Sequence, residues 1–204
     1  MSLQPHFTED VSELPNDIVG SGSLTWWGTI GFMVIEGSFF ALTFAVYFFL
    51  MNQEQQWPPE PWRAPDWLAG TLFTILILLS EIPNTWIKKA ATADEVEKVR
   101  RFLPLMALIG LVLLVVRAFE FNSLNIHWYE NAYGSVIWAL LLLHTTHILT
   151  DWADTIVIAA LVRTPLGYER RRMIDVCENS MYWRFVWLTW LPVYLMLYWV
   201  PRWV

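Results

Sequence analysis

The sequence predicts an all-α integral membrane protein: a bundle of five transmembrane helices with a cytoplasmic N-terminus and a C-terminus on the outside. Three observations predict it. Hydrophobic residues make up 56% of the 204-residue chain and charged ones 16%, with a mean hydropathy of +0.40, whereas soluble domains carry about 25% charged residues. Five stretches reach the roughly 20 residues that a helix needs to cross a bilayer. Fourteen Trp suit membrane interfaces, where the indole body is apolar and its N–H stays wet.

Residues 1–23 read as a polar tail and 24–204 as the five-helix domain, with helices over about 24–51, 68–86, 102–124, 133–162 and 181–203. The tail from Met1 to Gly22 is acidic and free of Lys and Arg, so it holds no cleavable signal pattern. Between the first two helices, NQEQQWPPEPWRAPDW carries too many prolines for a continuous helix and reads as an ordered interfacial loop. The connectors KKAATADEVEKVRR, read as helical, and RTPLGYERRRMIDVCENS are charged, and NIHWYENA is short and polar. There is no domain boundary and no internal repeat.

Loop cations set the orientation, because cytoplasmic loops retain Lys and Arg. One side holds Lys88, Lys89, Lys98, Arg100, Arg101, Arg163, Arg170, Arg171 and Arg172, nine in all, against Arg63 and Arg202 on the other. A formal net charge of −6 argues against nucleic acid as a partner. The single Cys177 excludes an internal disulfide.

Candidate functional residues are the ionisable groups inside the predicted spans, each costing roughly 2.5 to 3.5 kcal/mol to insert. On the fourth helix His144, His147, Asp151 and Asp154 follow at steps of three, four and three, so they share one face. Glu36 lies roughly 22 Å below the outer end of the first helix at 1.5 Å per residue. The fourth helix reaches the same depth near His147, which makes Glu36 and His147 candidate partners. Glu36 is either a hydrogen-bonded packing carboxylate or a lipid-binding or proton-linked group. Glu81 precedes Pro83 on the second helix, where a kink is expected. Arg117 and Glu120, three apart on the third, are spaced to pair.

Counting ligands restricts cofactors. A bis-imidazole haem takes one His from each of two helices, yet His6 lies in the tail, His127 in an outer loop, and the other two on a single helix. A haem-copper centre needs histidines on several helices, and a dinuclear copper site needs paired cysteines. The expectation is a chain with no metal and no catalytic residues of its own.

The order of short motifs resembles subunit III of the haem-copper oxidases. Tyr133-Gly134-Ser135 leads into His144-x-x-His147, then Tyr182-Trp183-x-Phe185-Val186 and Trp190, where that family reads YGS, HGxHV and YWHFVDxxW. Glu36 followed by Phe39-Phe40 is similar to its SExxFF, and Glu120-Phe121 to its QxxEY. The chain departs at Arg117 (usually Gln), Thr145 (usually Gly), Arg184 (usually His) and Trp187 (usually Asp).

The resemblance implies the five-helix form found in bacterial quinol oxidase subunits, and a non-catalytic accessory subunit of an oxygen-reducing, proton-pumping terminal oxidase of aerobic respiration. Its partners would be the catalytic subunit I, subunit II and membrane lipids. Haem and copper would sit in those partners, phospholipid would be bound, and the location would be the bacterial inner membrane. Glu36, Phe39, Phe40, His144 and His147 are then lipid-cleft or proton-linked candidates; Glu81, Arg117, Glu120, Asp151, Asp154, Trp183 and Arg184 are buried structural polar groups. Alternatives are an accessory subunit of a nitric oxide reductase and an independent proton or ion transporter using Glu36, Glu81, His144, His147, Asp151 and Asp154 as a relay.

Overall fold

A computed structural model describes residues 18–204 and contains five long helices: α1 (Leu24–Met51), α2 (Trp67–Thr92), α3 (Val96–Asn122), α4 (Ala132–Leu161) and α5 (Arg170–Tyr194). A π-helical turn (Leu195–Trp199) and a last short helix, α6 (Val200–Trp203), continue α5. His6 and most of the polar tail lie outside the described residues. Helices α1 to α4 are each long and apolar enough to cross a membrane. Helix α5 is outside that criterion because its polar, Trp and Tyr residues lower its mean hydropathy.

Helix starts follow local chemistry. Ser23 caps α1 by accepting a hydrogen bond from the Thr25 amide (3.2 Å), and Asn131 caps α4 through the Gly134 amide (2.8 Å). Three helices run further than hydropathy suggests. The charged connector after α2 is helical on both sides of a three-residue turn, 93–95, and α5 begins at Arg170 rather than near 181. The reason is that Ala, Lys, Glu and Arg are strong helix formers, so the backbone stays helical after the side chains leave the hydrocarbon. Pro83 is buried within α2, which continues through it to Thr92.

Helices α2, α3, α4 and α5 pack in a ring, each against its two neighbours, and α1 leans on the outside against α4 and α5. A ladder of side chains shows α2 and α5 to be antiparallel along their whole length: Thr71 meets Tyr194, Thr74 meets Trp190, Ser80 meets Trp183, Asn84 meets Ser180 and Thr92 meets Cys177. Helix α4 is the central element, with half of its apolar window buried against 11% for α1. The outer flank of α1 leaves Ile35, Phe39, Leu42, Val46 and Phe49 exposed.

In the π turn, Met196, Leu197 and Tyr198 are all buried. Three consecutive residues on an α-helix would fan over about 200°, so the wider turn is what lets all three face the bundle. The loop 52–66 is anchored through Trp57, whose indole N–H donates to Tyr47 Oη (2.8 Å), while that hydroxyl donates to the Met196 carbonyl (2.8 Å).

Between α3 and α4 the close approach depends on Gly110. A Cβ there would sit 2.6 Å from Trp152 Cδ1, and the same indole donates to the Ala107 carbonyl (2.8 Å). Gly110→Val should therefore destabilise the chain by about 1 to 3 kcal/mol through overpacking. A lower midpoint of detergent thermal unfolding checks this, and an unchanged midpoint would contradict the packing.

Candidate functional site

Three polar centres lie within the helical bundle. The first is built on Arg117, whose side chain is 1% exposed. Its Nη1 donates to Glu120 Oε2 (2.8 Å) and its Nη2 to His144 Nδ1 (3.0 Å). Because Arg only donates, His144 Nδ1 is the acceptor, and Nε2 carries the proton that goes to the Val186 carbonyl (3.0 Å). The guanidinium carbon lies 3.7 Å from the Phe73 ring centroid and 4.2 Å from that of Trp190, distances at which aromatic faces stabilise a desolvated cation. Tyr198 donates to the other Glu120 oxygen (2.5 Å). All four helices of the ring and the π turn thus meet on one charge.

The second centre joins α1 to the ring. Tyr182 donates to Glu36 Oε2 (2.6 Å), and His147 Nε2 stands 3.4 Å from Glu36 Oε1. That last contact is within ion-pair range but lacks hydrogen-bond alignment. His147 Nδ1 donates to the Leu143 carbonyl (2.6 Å), so a neutral ring turns its Nε2 lone pair toward Glu36. Phe40 covers His147 at 5.0 Å between ring centroids. Phe39, its sequence neighbour, is exposed on the outer flank of α1.

A cavity of about 680 Å³ between α1, α4 and α5 borders this pair, lined by Glu36, Thr150, Asp151, Asp154, Glu178 and Asn179 among others. Asn179 donates to Asp151 Oδ1 (3.2 Å) and to Asp154 Oδ2 (3.1 Å). Asp151 is buried while Asp154 is exposed at the cavity. Reading Asp154 as buried is thus corrected: the face that carries His144, His147 and Asp151 inward reaches the cavity mouth one turn later.

The third centre lies between α2 and α5. Glu81 receives Arg184 Nε (2.8 Å) and Nη2, Trp187 Nε1 (3.1 Å), Asn84 Nδ2 (2.9 Å) and Thr85 Oγ1 (3.1 Å). Nearby, Trp183 donates to Ser80 and is buried. Glu81 and Arg184 are half-buried rather than buried, at 21% and 40% side-chain exposure, because their pair sits on the outer edge of the α2–α5 seam. Arg184 and Trp187, the two departures from the motif pattern on α5, both serve Glu81.

The sequence reading paired Arg117 with Glu120 and Glu36 with His147, and both pairs are in contact. It did not find Tyr182, Asn179, Asn84, Ser180 or Tyr198. These are uncharged partners, and the only signal for them was that each intramembrane charge requires a donor or acceptor nearby. Among the described residues no group of three or more His, Cys, Asp or Glu is arranged to hold a metal ion. His144 engages Arg117 on α3 and Val186 on α5, and His147 engages Leu143 on its own helix and Glu36 on α1.

The fold and its centres define a multi-pass helical membrane protein whose intramembrane polar groups are bonded across helices. A family model described as cytochrome c oxidase subunit III matches residues 17–202. The chain is 23% identical to cytochrome c oxidase subunit 3 of Thermostichus vulcanus over 86% of this chain and 87% of the relative. It is 28% identical to a probable cytochrome c oxidase subunit 3 of Mycobacterium tuberculosis over 85% and 86%, and 24% identical to the Artemia franciscana subunit 3 over 85% and 68%. The chain belongs to the cytochrome c oxidase subunit III family.

Two sets of variants test the centres. Arg117→Ala should cost about 3 to 5 kcal/mol in unfolding, since it strands Glu120 without its cation; a loss under 1 kcal/mol would contradict the clamp. For Glu36→Ala and His147→Ala, each single change should cost about 1 to 3 kcal/mol and the double change less than their sum. Strict additivity in a detergent-dissociation series would remove the coupling.

Proposed function

We propose that this chain is a non-catalytic accessory subunit of a haem-copper terminal oxidase, packed beside the catalytic subunit I in a complex that also holds subunit II. In that role it stabilises the catalytic subunit and binds phospholipid, while haem and copper are carried by its partners during oxygen reduction coupled to proton pumping. The observation that carries the reading is the family match across residues 17–202. Its support in the geometry is that Arg117, Glu36 and Glu81 are engaged in contacts between this chain's own helices, while apolar flanks such as that of α1 stay open to a partner or lipid. Glu36, Phe40 and His147 then form the wall where α1 meets the ring, next to the cavity, and Phe39 faces outward to lipid.

The same reading places the N-terminus in the cytoplasm and the C-terminus outside, in a bacterial inner membrane. Crossing by α5 and its continuation is supported by their antiparallel match to α2, and orientation by the nine cations at the end where α2 meets α3 and α4 meets α5.

Purification of the tagged chain in mild detergent tests the assignment. The expected result is comigration with subunits bearing oxidase haem spectra. Recovery of the chain alone, with proton flux after reconstitution in liposomes, would favour a transporter; companions with the spectrum of a nitric oxide reductase would move it to that complex. A reporter fused after Val204 should be exported and one inserted at Arg170 to Arg172 retained, and the reverse pattern would overturn the orientation.

A further inference from the structure

At the end of the bundle where α2 turns into α3, a cleft of about 540 Å³ opens between the last two turns of α2 and the flank of α5, lined by Thr85, Lys88, Lys89, Thr92, Ala93 and Arg184. It contains three cations and no carboxylate among its lining residues. Of the seven other basic residues at this end four are paired locally, Lys98 with Glu95, Arg100 with Glu97, Arg170 with Asp94 and Arg172 with Asp175; Arg101, Arg163 and Arg171 do not line the cleft. Lys88 and Lys89 have no ion pair among the described residues. The cleft hydroxyls are engaged elsewhere, Thr85 with Glu81 and Thr92 with the Lys88 carbonyl. Arg184 spends Nε and Nη2 on Glu81, and its Nη1 makes no hydrogen bond among the described residues. The free polar groups of the cleft are therefore cationic.

These groups occupy two levels. Lys88 and Lys89 lie within a turn or so of the end of α2, at Thr92. Glu81, which holds Arg184, precedes Lys88 by seven residues, about 10 Å along the axis. Leu78, Ile82 and Lys89 follow one stripe of α2, and Leu188 lies one turn beyond Arg184 on α5; all three apolar side chains are exposed. An anion that fits both levels has its charge at the top, further acceptors deeper, and an apolar body below. A free phosphate meets only the first requirement.

We propose that this cleft binds an anionic glycerophospholipid, its phosphate on Lys88 and Lys89, its ester carbonyls near Arg184, and its acyl chains along Leu78, Ile82 and Leu188. Basic pockets between membrane helices hold anionic headgroups in this way, at about 1 kcal/mol per Lys or Arg near the surface. The cleft shares no lining residue with the Glu36 cavity, although Glu178 of that cavity lies within electrostatic reach of Lys88.

The test equilibrates the detergent-purified full chain with mixed micelles containing equal phosphatidylglycerol and phosphatidylcholine, then quantifies retained lipid by mass spectrometry. Wild type should retain phosphatidylglycerol preferentially. Lys88→Gln/Lys89→Gln should lower that retention on the order of tenfold without changing phosphatidylcholine, and Lys88→Arg/Lys89→Arg should restore it. Equal retention of the two lipids, or unchanged retention in the Gln variant, would overturn the proposal. So would displacement of phosphatidylglycerol by millimolar inorganic phosphate, which would make the cleft a simple anion site. Because retention is read on the chain itself, failure here is separable from failure to comigrate with haem-bearing subunits.

Discussion

The constraint on which the rest of the structure depends is the guanidinium of Arg117 in the middle of a membrane bundle. It cannot be hydrated by hydrocarbon, so every element of the ring supplies something to it. Glu120 supplies charge, His144 a lone pair, and Phe73 and Trp190 the faces of their rings. Tyr198 then satisfies the second oxygen of Glu120 from the π turn. Loss of any one contribution leaves a polar group with no alternative partner, and that dependence fixes how α2, α3, α4 and α5 sit against one another.

The other two centres repeat this logic at the seams. Glu81 on α2 is surrounded by donors from α5 and from its own helix, so the unusual Arg184 and Trp187 belong together: each contributes a donor to one carboxylate. Glu36 performs the equivalent task for α1, which buries little of its own surface and is held to the ring at Tyr182 and His147. The acidic cavity beside that joint differs in character from the tightly packed Arg117 centre. One is a packed set of contacts that leaves Arg117 Nε without a hydrogen bond among the described residues, and the other a space bordered by carboxylates.

Family membership and this division of polar groups fit a subunit that offers surface rather than chemistry. Its charges hold helices together, its apolar flanks face outward, and the basic cleft on α2 and α5 opens at the end where α2 turns into α3.

The sequence by itself determined the all-α class and the order of the five helices, because composition and apolar run length reflect the solvent in which the chain folds. It also determined the Arg117–Glu120 pair, since three residues on one helix bring two side chains together without help from tertiary structure. The depth match of Glu36 with His147 was legible for a related reason: rise per residue fixes depth in a slab. What only the tertiary structure decided were the azimuths and the neighbours. Nothing local says that Arg184 reaches Glu81, that Phe40 turns inward while Phe39 turns outward, or that Asp154 emerges at a cavity. Those outcomes depend on which flank of each helix meets which neighbour, and that is set by packing of residues far apart in the chain, 149 positions in the case of Tyr47 and Met196. Helix ends escaped the hydropathy reading because hydrogen bonding along the backbone continues past the point where apolar side chains stop.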